Sequence, residues 1–218
     1  MWKVIRDQQK AGLGMIYKDF GKQAGLPKDQ SDQLTELLAD NVMDNIEQIT
    51  AVIREGKSAV QMEQLFTEAE MKLGEKVKAL LGPEAYSQYQ DYTRNLASSI
   101  TAEQFKGMMS GEAAEKEGKS KQLYAALQAE AQLALANAGL GPDYQLVPTL
   151  NFRNFASEAA AERNLLLLDG IYERVMARSG SFLSEADIIK FGEFRTKAIN
   201  ANRMALSVNR KLMSPGSP

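Results

Sequence analysis

Apolar residues recur at a spacing of three and four over long parts of this chain, which is the spacing of one face of an α-helix. The segment 29–53 shows it, with apolar residues at steps of three and four that are Leu34, Leu37, Leu38, Val42, Ile46, Ile49 and Ile53. Only 6 of the 218 residues are proline and 7% are aromatic, and such a composition favours helix over sheet. These features predict an all-α fold.

Turn-forming residues divide the chain into seven or eight helices, which we expect to form a bundle of long antiparallel pairs. In the sequence LLGPE, Gly82 fits the position just after a helix and Pro83 fits the first turn of the next one. We predict one helical domain over 1–213, with a subdivision near 110–120 left open, and a disordered tail over 214–218. The predicted helices cover 3–24, 29–53, 58–80, 83–97, 101–109 (with Thr101 as its N-cap), 119–138, 152–178 and 184–212.

The last predicted helix has the most regular apolar pattern. Ser184 is a suitable N-cap, and Asp187 places an acid in the first turn, where the helix dipole favours negative charge. Seven positions then step by three and four without a gap, which is typical of a helix that packs along a partner at a shallow angle. The partner is either another part of the chain or a second copy, so a homodimer stays open. The predicted seam consists of Phe191, Phe194, Ala198, Ala201, Ala205, Val208 and Leu212.

Composition excludes several kinds of site. The chain has no cysteine and no histidine, so disulfides, thiol nucleophiles, Cys/His zinc sites and imidazole bases are excluded. Its net charge of −2 offers no general attraction for nucleic acid. The carboxylates at 63–75 and 112–117 are interpreted as solvated faces with i,i+4 pairs. We therefore predict no catalytic residue, no metal and no cofactor.

Apolar runs and the first residues of the chain indicate whether it crosses or is exported across a membrane. No apolar run approaches the roughly 18 residues that a membrane span needs, and the start, MWKVIRDQQK, lacks the apolar region of a signal peptide. Absence of cysteine suits both the cytoplasm and an oxidising envelope. We predict no membrane span and leave two compartments open.

Three tyrosines spaced by three residues, Tyr86, Tyr89 and Tyr92, form the first candidate binding face. Such a face could stack aromatic groups of a partner. The alternative, which we favour, is that the rings pack on neighbouring helices while their hydroxyl groups reach solvent or a backbone carbonyl.

The methionine pair Met108 and Met109 and the apolar connection 139–151 are further candidates. Flexible thioethers suit the binding of apolar partners, although filling gaps in a helical core is the favoured interpretation. The connection is long for a helical bundle, and its Tyr144 and Leu146 belong either to one wall of a peptide-binding cleft or to an ordered crossover, which we favour.

Three segments resemble a group of uncharacterised bacterial envelope proteins over residues 13–212. They read GLPKDQSDQLTELLAD, LLGPEAYSQYQDYTRNL and FLSEADIIKFGEFRTK. Their helix starts are also distantly similar to those of the LTXXQ-motif proteins, the periplasmic Spy/CpxP type of all-helical stress protein. This second resemblance implies an ATP-independent, cradle-like chaperone or stress sensor that is often dimeric.

From the residues and the resemblance together we expect a non-enzymatic binding protein of the bacterial envelope, chaperone-like or stress-related. It would hold apolar segments of a protein or peptide on a face lined by Met, Tyr and Leu. A scaffold or regulatory protein that acts through a helix–helix contact or a homodimer is the alternative. The expected location is periplasmic or otherwise extracytoplasmic, with the cytoplasm as the alternative, and an enzyme with a carboxylate site stays open.

Overall fold

A computed structural model describes residues 2–55 and 59–213. This part of the chain is helical apart from the connections between helices and contains no β-strand, which confirms the predicted all-α fold. The predicted tail 214–218 lies outside the described residues. The elements are α1 (Trp2–Gln23), α2 (Lys28–Glu55), α3 (Ala59–Arg94), α4 (Leu96–Lys106), α5 (Ala113–Asn137), α6 (Arg153–Ala156), α7 (Glu158–Arg178), a 3-10 turn (Ser179–Ser181) and α8 (Glu185–Met213).

The predicted break at Gly82 lies inside α3. Gly82 has φ 76° and ψ 169°, which a residue with a side chain rarely adopts, and Pro83 follows it at the start of the continuing helix. The predicted boundary is therefore present as a kink in α3: one helix ends at Gly82 and the next begins at Pro83 without any loop.

Two helices begin earlier than predicted. Helix α4 starts at Leu96, so Thr101 is a residue of the helix interior and the prediction that it is an N-cap is wrong. The Thr101 hydroxyl group is buried and lies 2.9 Å from the hydroxyl group of Tyr172. Helix α5 starts at Ala113, within the acidic segment that precedes the predicted helix 119–138.

Ion pairs explain why the acidic segment is helical. Glu115 lies 2.6 Å from Lys119 one turn later, and Glu117 lies 2.6 Å from Lys106 of α4. Acidic residues in the first turns of a helix are also favoured by the helix dipole. The i,i+4 spacing of the opposite charges stabilises a helix in a segment whose Ser and Gly residues by themselves predict a turn.

Serine residues cap the N-termini of α7 and α8. Ser157 is extended and accepts a hydrogen bond from the backbone amide of Ala160 at 3.2 Å, so the predicted helix 152–178 divides into α6 and α7. Ser184 accepts one from the backbone amide of Asp187 at 3.2 Å. The predicted N-cap of α8 is therefore confirmed.

The chain divides into two compact units. The first contains α1, α2 and α3 up to Tyr92, together with α8 from Arg210, and the second runs from Thr93 to Asn209. We expected one domain with any subdivision near 110–120, but that segment lies inside the second unit. The buried residues of the first unit include Phe20, Leu34, Leu38, Ile49 and Val77, and those of the second include Phe105, Leu123, Leu127, Ile171 and Phe191.

Candidate binding groove

The three tyrosines of α3 pack against α1. Tyr89 is buried and Tyr86 and Tyr92 are half-buried, and the ring of Tyr17 lies 5.8 Å from that of Tyr89 and 5.7 Å from that of Tyr92. The Tyr92 hydroxyl group donates a hydrogen bond to the backbone carbonyl of Ile16 at 2.6 Å. The structure thus has the favoured arrangement, in which the rings join two helices and the hydroxyl reaches a carbonyl.

The methionine pair and the loop residues belong to the core of the second unit. Met109 and Leu146 are buried, and Met108 and Tyr144 pack against the same core while half-buried. The Tyr144 hydroxyl group accepts a hydrogen bond from the side-chain amide of Asn164 at 3.3 Å. A partner cannot reach Met109 or Leu146 in this fold, so the prediction of a binding face is wrong at these two residues.

Buried asparagines hold the connection 139–151 in place. The side-chain amides of Asn151 and Asn164 both donate to the backbone carbonyl of Gln145, at 3.0 and 2.9 Å. The side-chain amide of Asn154 donates to the carbonyl of Pro148 at 2.9 Å. The connection is an ordered crossover, because its own Asn151 and side chains from α6 and α7 take the place of the backbone partners that a loop lacks.

The predicted seam of α8 is buried only at its beginning. The two exposed positions have no partner within the described part of the chain, so a second copy stays open as the partner there. Phe191 and Phe194 are buried, Ala198 and Ala205 are half-buried, Ala201 and Val208 are exposed, and the side chain of Leu212 lies outside the described part.

The buried stripe of α8 drifts away from the predicted one. Ile199 and Leu206 are buried, each one position after the predicted seam residues Ala198 and Ala205. An α-helix has 3.6 residues per turn, so a stripe spaced at 3.5 rotates by about 20° per heptad relative to a straight helix. A shift by one position turns the stripe by about 100°, so the packing around α8, more than the helical period, decides which of its residues are buried.

A groove of about 680 Å³ runs between α5 and α7 in the second unit. Small residues on both helices leave this space open. At Gly170, a Cβ atom would lie 3.2 Å from the Arg174 guanidinium group, so a larger residue would crowd the groove. Leu166 lines the groove with 62% of its surface exposed, and Leu133, one turn before Asn137 on α5, is 51% exposed. The lining residues are Ala134, Asn137, Ala138, Ala159, Glu162, Arg163, Leu166, Leu167, Gly170 and Arg174.

An ion-pair cluster borders the groove. The buried carboxylate of Glu130 accepts a hydrogen bond from Arg174 Nε at 2.9 Å and another from Arg178 Nη1. Glu162 pairs with Arg203 of α8 at 2.9 Å. The groove is therefore apolar on its floor and charged along one side, an arrangement suited to an amphipathic segment.

Little in the amino-acid sequence indicates this groove. The run of four leucines, 165–168, covers more of the circumference of α7 than a single buried face can, so one of them had to point outward. Leu165 and Leu168 are buried and Leu166 is exposed, which only the packing of α7 decides.

Within 2–55 and 59–213, no three Asp or Glu side chains come together in a way that could hold a metal ion. None of the helices in these ranges is both long and apolar enough to cross a bilayer.

Comparison of the chain with protein families, with curated proteins and with solved structures found no match. The resemblance to helical envelope proteins therefore stays a prediction.

Proposed function

We propose that this protein is a non-enzymatic helical binding protein that holds an apolar segment of a protein partner in the groove between α5 and α7. The exposure of Leu166 in that groove carries the proposal, because a large apolar side chain beside an apolar concave surface gains free energy when a partner covers it. A groove between two helices accepts a third helix, which is a common mode of peptide recognition. The proposed surface replaces the Met, Tyr and Leu face expected from the sequence.

The chaperone-like, stress-related role in the bacterial envelope is part of this proposal and is supported by the resemblance of the helix starts. A holding chaperone suppresses aggregation of an unfolding client at stoichiometric amounts without ATP. We expect the wild-type protein to do so with a thermally unfolding client in a light-scattering assay.

Substitution of Leu166 by Glu tests the groove. A charge in the apolar groove should abolish the suppression, because burying an unpaired carboxylate against a client is costly. The matched control is Met71→Glu on α3, since Met71 is equally exposed, at 62%, and lies outside the groove. Circular dichroism checks that both variants are folded. A wild-type protein without suppression, or equal loss in both variants, would contradict the proposal.

A second candidate function, a scaffold or regulatory protein that acts as a homodimer, is favoured by the outer side of α8. Ala201, Met204 and Val208 are exposed at steps of three and four, so they form an apolar stripe. A second copy could cover this stripe with its own equivalent residues.

Light scattering of the purified protein over a range of concentrations tests the homodimer. The homodimer is supported if the wild-type protein has the mass of a dimer and the Met204→Glu variant has the mass of a monomer. Ala201→Phe should also alter the mass if the stripe is covered, because the larger side chain would overpack the contact. An unchanged monomer mass and melting temperature in all three proteins would exclude this function.

A further inference from the structure

The two walls of the α5–α7 groove differ in charge. The α5 wall, residues 131–138, contains no charged residue. The α7 wall contributes Glu162, Arg163 and Arg174 to the lining. A segment lying in the groove therefore meets a neutral wall on one side and a charged wall on the other.

The carboxylates near the groove already have partners. Glu130 is shared by Arg174 and Arg178, and Glu162 pairs with Arg203 at 2.9 Å. Further along α7, Asp169 and Glu173 both face Arg195 of α8. The negative charge on this side of the groove is thus compensated within the chain.

Arg163 is exposed at the groove and forms no ion pair with any residue of the described part of the chain. The charged residues that line the groove are two arginines, Arg163 and Arg174, and one glutamate, Glu162, so the lining carries a net positive charge. An arginine with free donors pairs well with a carboxylate, which its planar guanidinium group can meet with two parallel hydrogen bonds.

From this asymmetry we infer that the segment held in the groove is an amphipathic helix with an acidic edge, whose carboxylates face α7 and pair with Arg163. This inference rests on the proposed function. The lining runs from Ala159 to Arg174, about 22 Å or four turns at about 1.5 Å per residue. Apolar side chains at i, i+3 and i+4 would contact Leu166 and Leu167, and a basic edge in the same place would be repelled.

Two synthetic peptides serve as probes in the test. Both have about 18 residues, enough for four turns, and both carry leucines along one face. One has glutamate along the edge of that face, and the other has lysine at the same positions. Fluorescence anisotropy with the full-length protein measures binding of each labelled peptide.

We expect the glutamate peptide to bind about tenfold more tightly than the lysine peptide, a difference typical of complementary charge at the edge of an interface. Arg163→Glu should cancel or reverse this preference. Lys78→Glu changes the net charge equally at an exposed site of α3 outside the groove, and it should leave the preference unchanged. Leu166→Glu should weaken both peptides.

The outcomes separate the two proposals. If both peptides bind the wild-type protein equally and neither binds the Leu166→Glu variant, the groove is supported and the acidic edge is overturned. A preference that Lys78→Glu removes as strongly as Arg163→Glu would also overturn it, because net charge would then explain the result. Failure of both peptides to bind, or no effect of Leu166→Glu, would overturn the groove itself and the acidic edge with it.

Discussion

The Asp187 carboxylate accepts a hydrogen bond from the backbone amide of Ser110, 77 residues earlier in the chain, at 2.8 Å. Lys119 donates to the other oxygen of the same carboxylate at 3.1 Å, and Asp187 is completely buried. Burial opposes ionisation of Asp187, but the hydrogen bonds from Ser110 and Lys119 outweigh it and hold the pKa of this carboxyl group well below its ordinary value. Asp187 thus fastens the connection between α4 and α5 to the first turn of α8.

Replacement of Asp187 by Asn should lower the free energy of unfolding by about 2 kcal/mol, because a buried carboxylate that accepts charged hydrogen bonds is lost. Urea denaturation at neutral pH measures the change. Glu185→Gln is the matched control: Glu185 lies exposed in the same first turn and shares the favourable interaction with the helix dipole. Equal effects of the two substitutions would show that the contacts to Ser110 and Lys119 contribute nothing.

The contribution of Asp187 should also depend on pH. Because the pKa of Asp187 is lower in the folded protein than in the unfolded chain, its stabilisation is fully present above the unfolded value of about 4. The stabilisation is lost as the pH falls from there towards the folded pKa. The difference in free energy of unfolding between the wild-type protein and Asp187→Asn should therefore shrink below about pH 4. A difference that stays constant over this range would contradict the lowered pKa.

Glu130 should be important for stability although glutamate is usually exposed. Its side chain is buried between Arg174 and Arg178. Replacing it with Gln leaves two arginines facing each other without a carboxylate, and we expect a loss of about 1–3 kcal/mol in free energy of unfolding. Glu173→Gln, which removes an exposed partner of Arg195, should change the same quantity by less than about 0.5 kcal/mol. Chemical denaturation of both variants decides between these values.

Two glycine substitutions separate backbone conformation from packing. A Cβ atom at Gly82 or at Gly118 would meet no other atom within 4 Å, so neither substitution causes a clash. Gly82 has a φ of 76°, and Gly82→Ala should cost about 1 kcal/mol because a side chain disfavours this conformation. Gly118 lies inside α5, and Gly118→Ala should stabilise the protein by about 0.5–1 kcal/mol. Melting temperatures that shift in the same direction would contradict the assignment of the break at Gly82.

Some elements of this structure follow from local physics alone. The break at Gly82 and Pro83 needs only the conformational preferences of two residues, and the cap at Ser184 needs only a hydroxyl group beside the first free amides of a helix. The all-α class follows in the same way from apolar spacing summed over each segment. These features were predictable because both the cause and the effect lie within a few residues of each other.

Other features depend on which surfaces of distant segments meet. The sequence shows four consecutive leucines at 165–168 but does not determine that Leu166 faces the groove. It also shows a regular apolar stripe on α8 but does not determine that the buried positions shift to Ile199 and Leu206. The burial of Glu130 and Asp187 likewise requires partners that lie 44 or more residues away. Helical period restricts a side chain to one face, whereas the tertiary structure decides whether that face meets another helix, a buried charge or solvent.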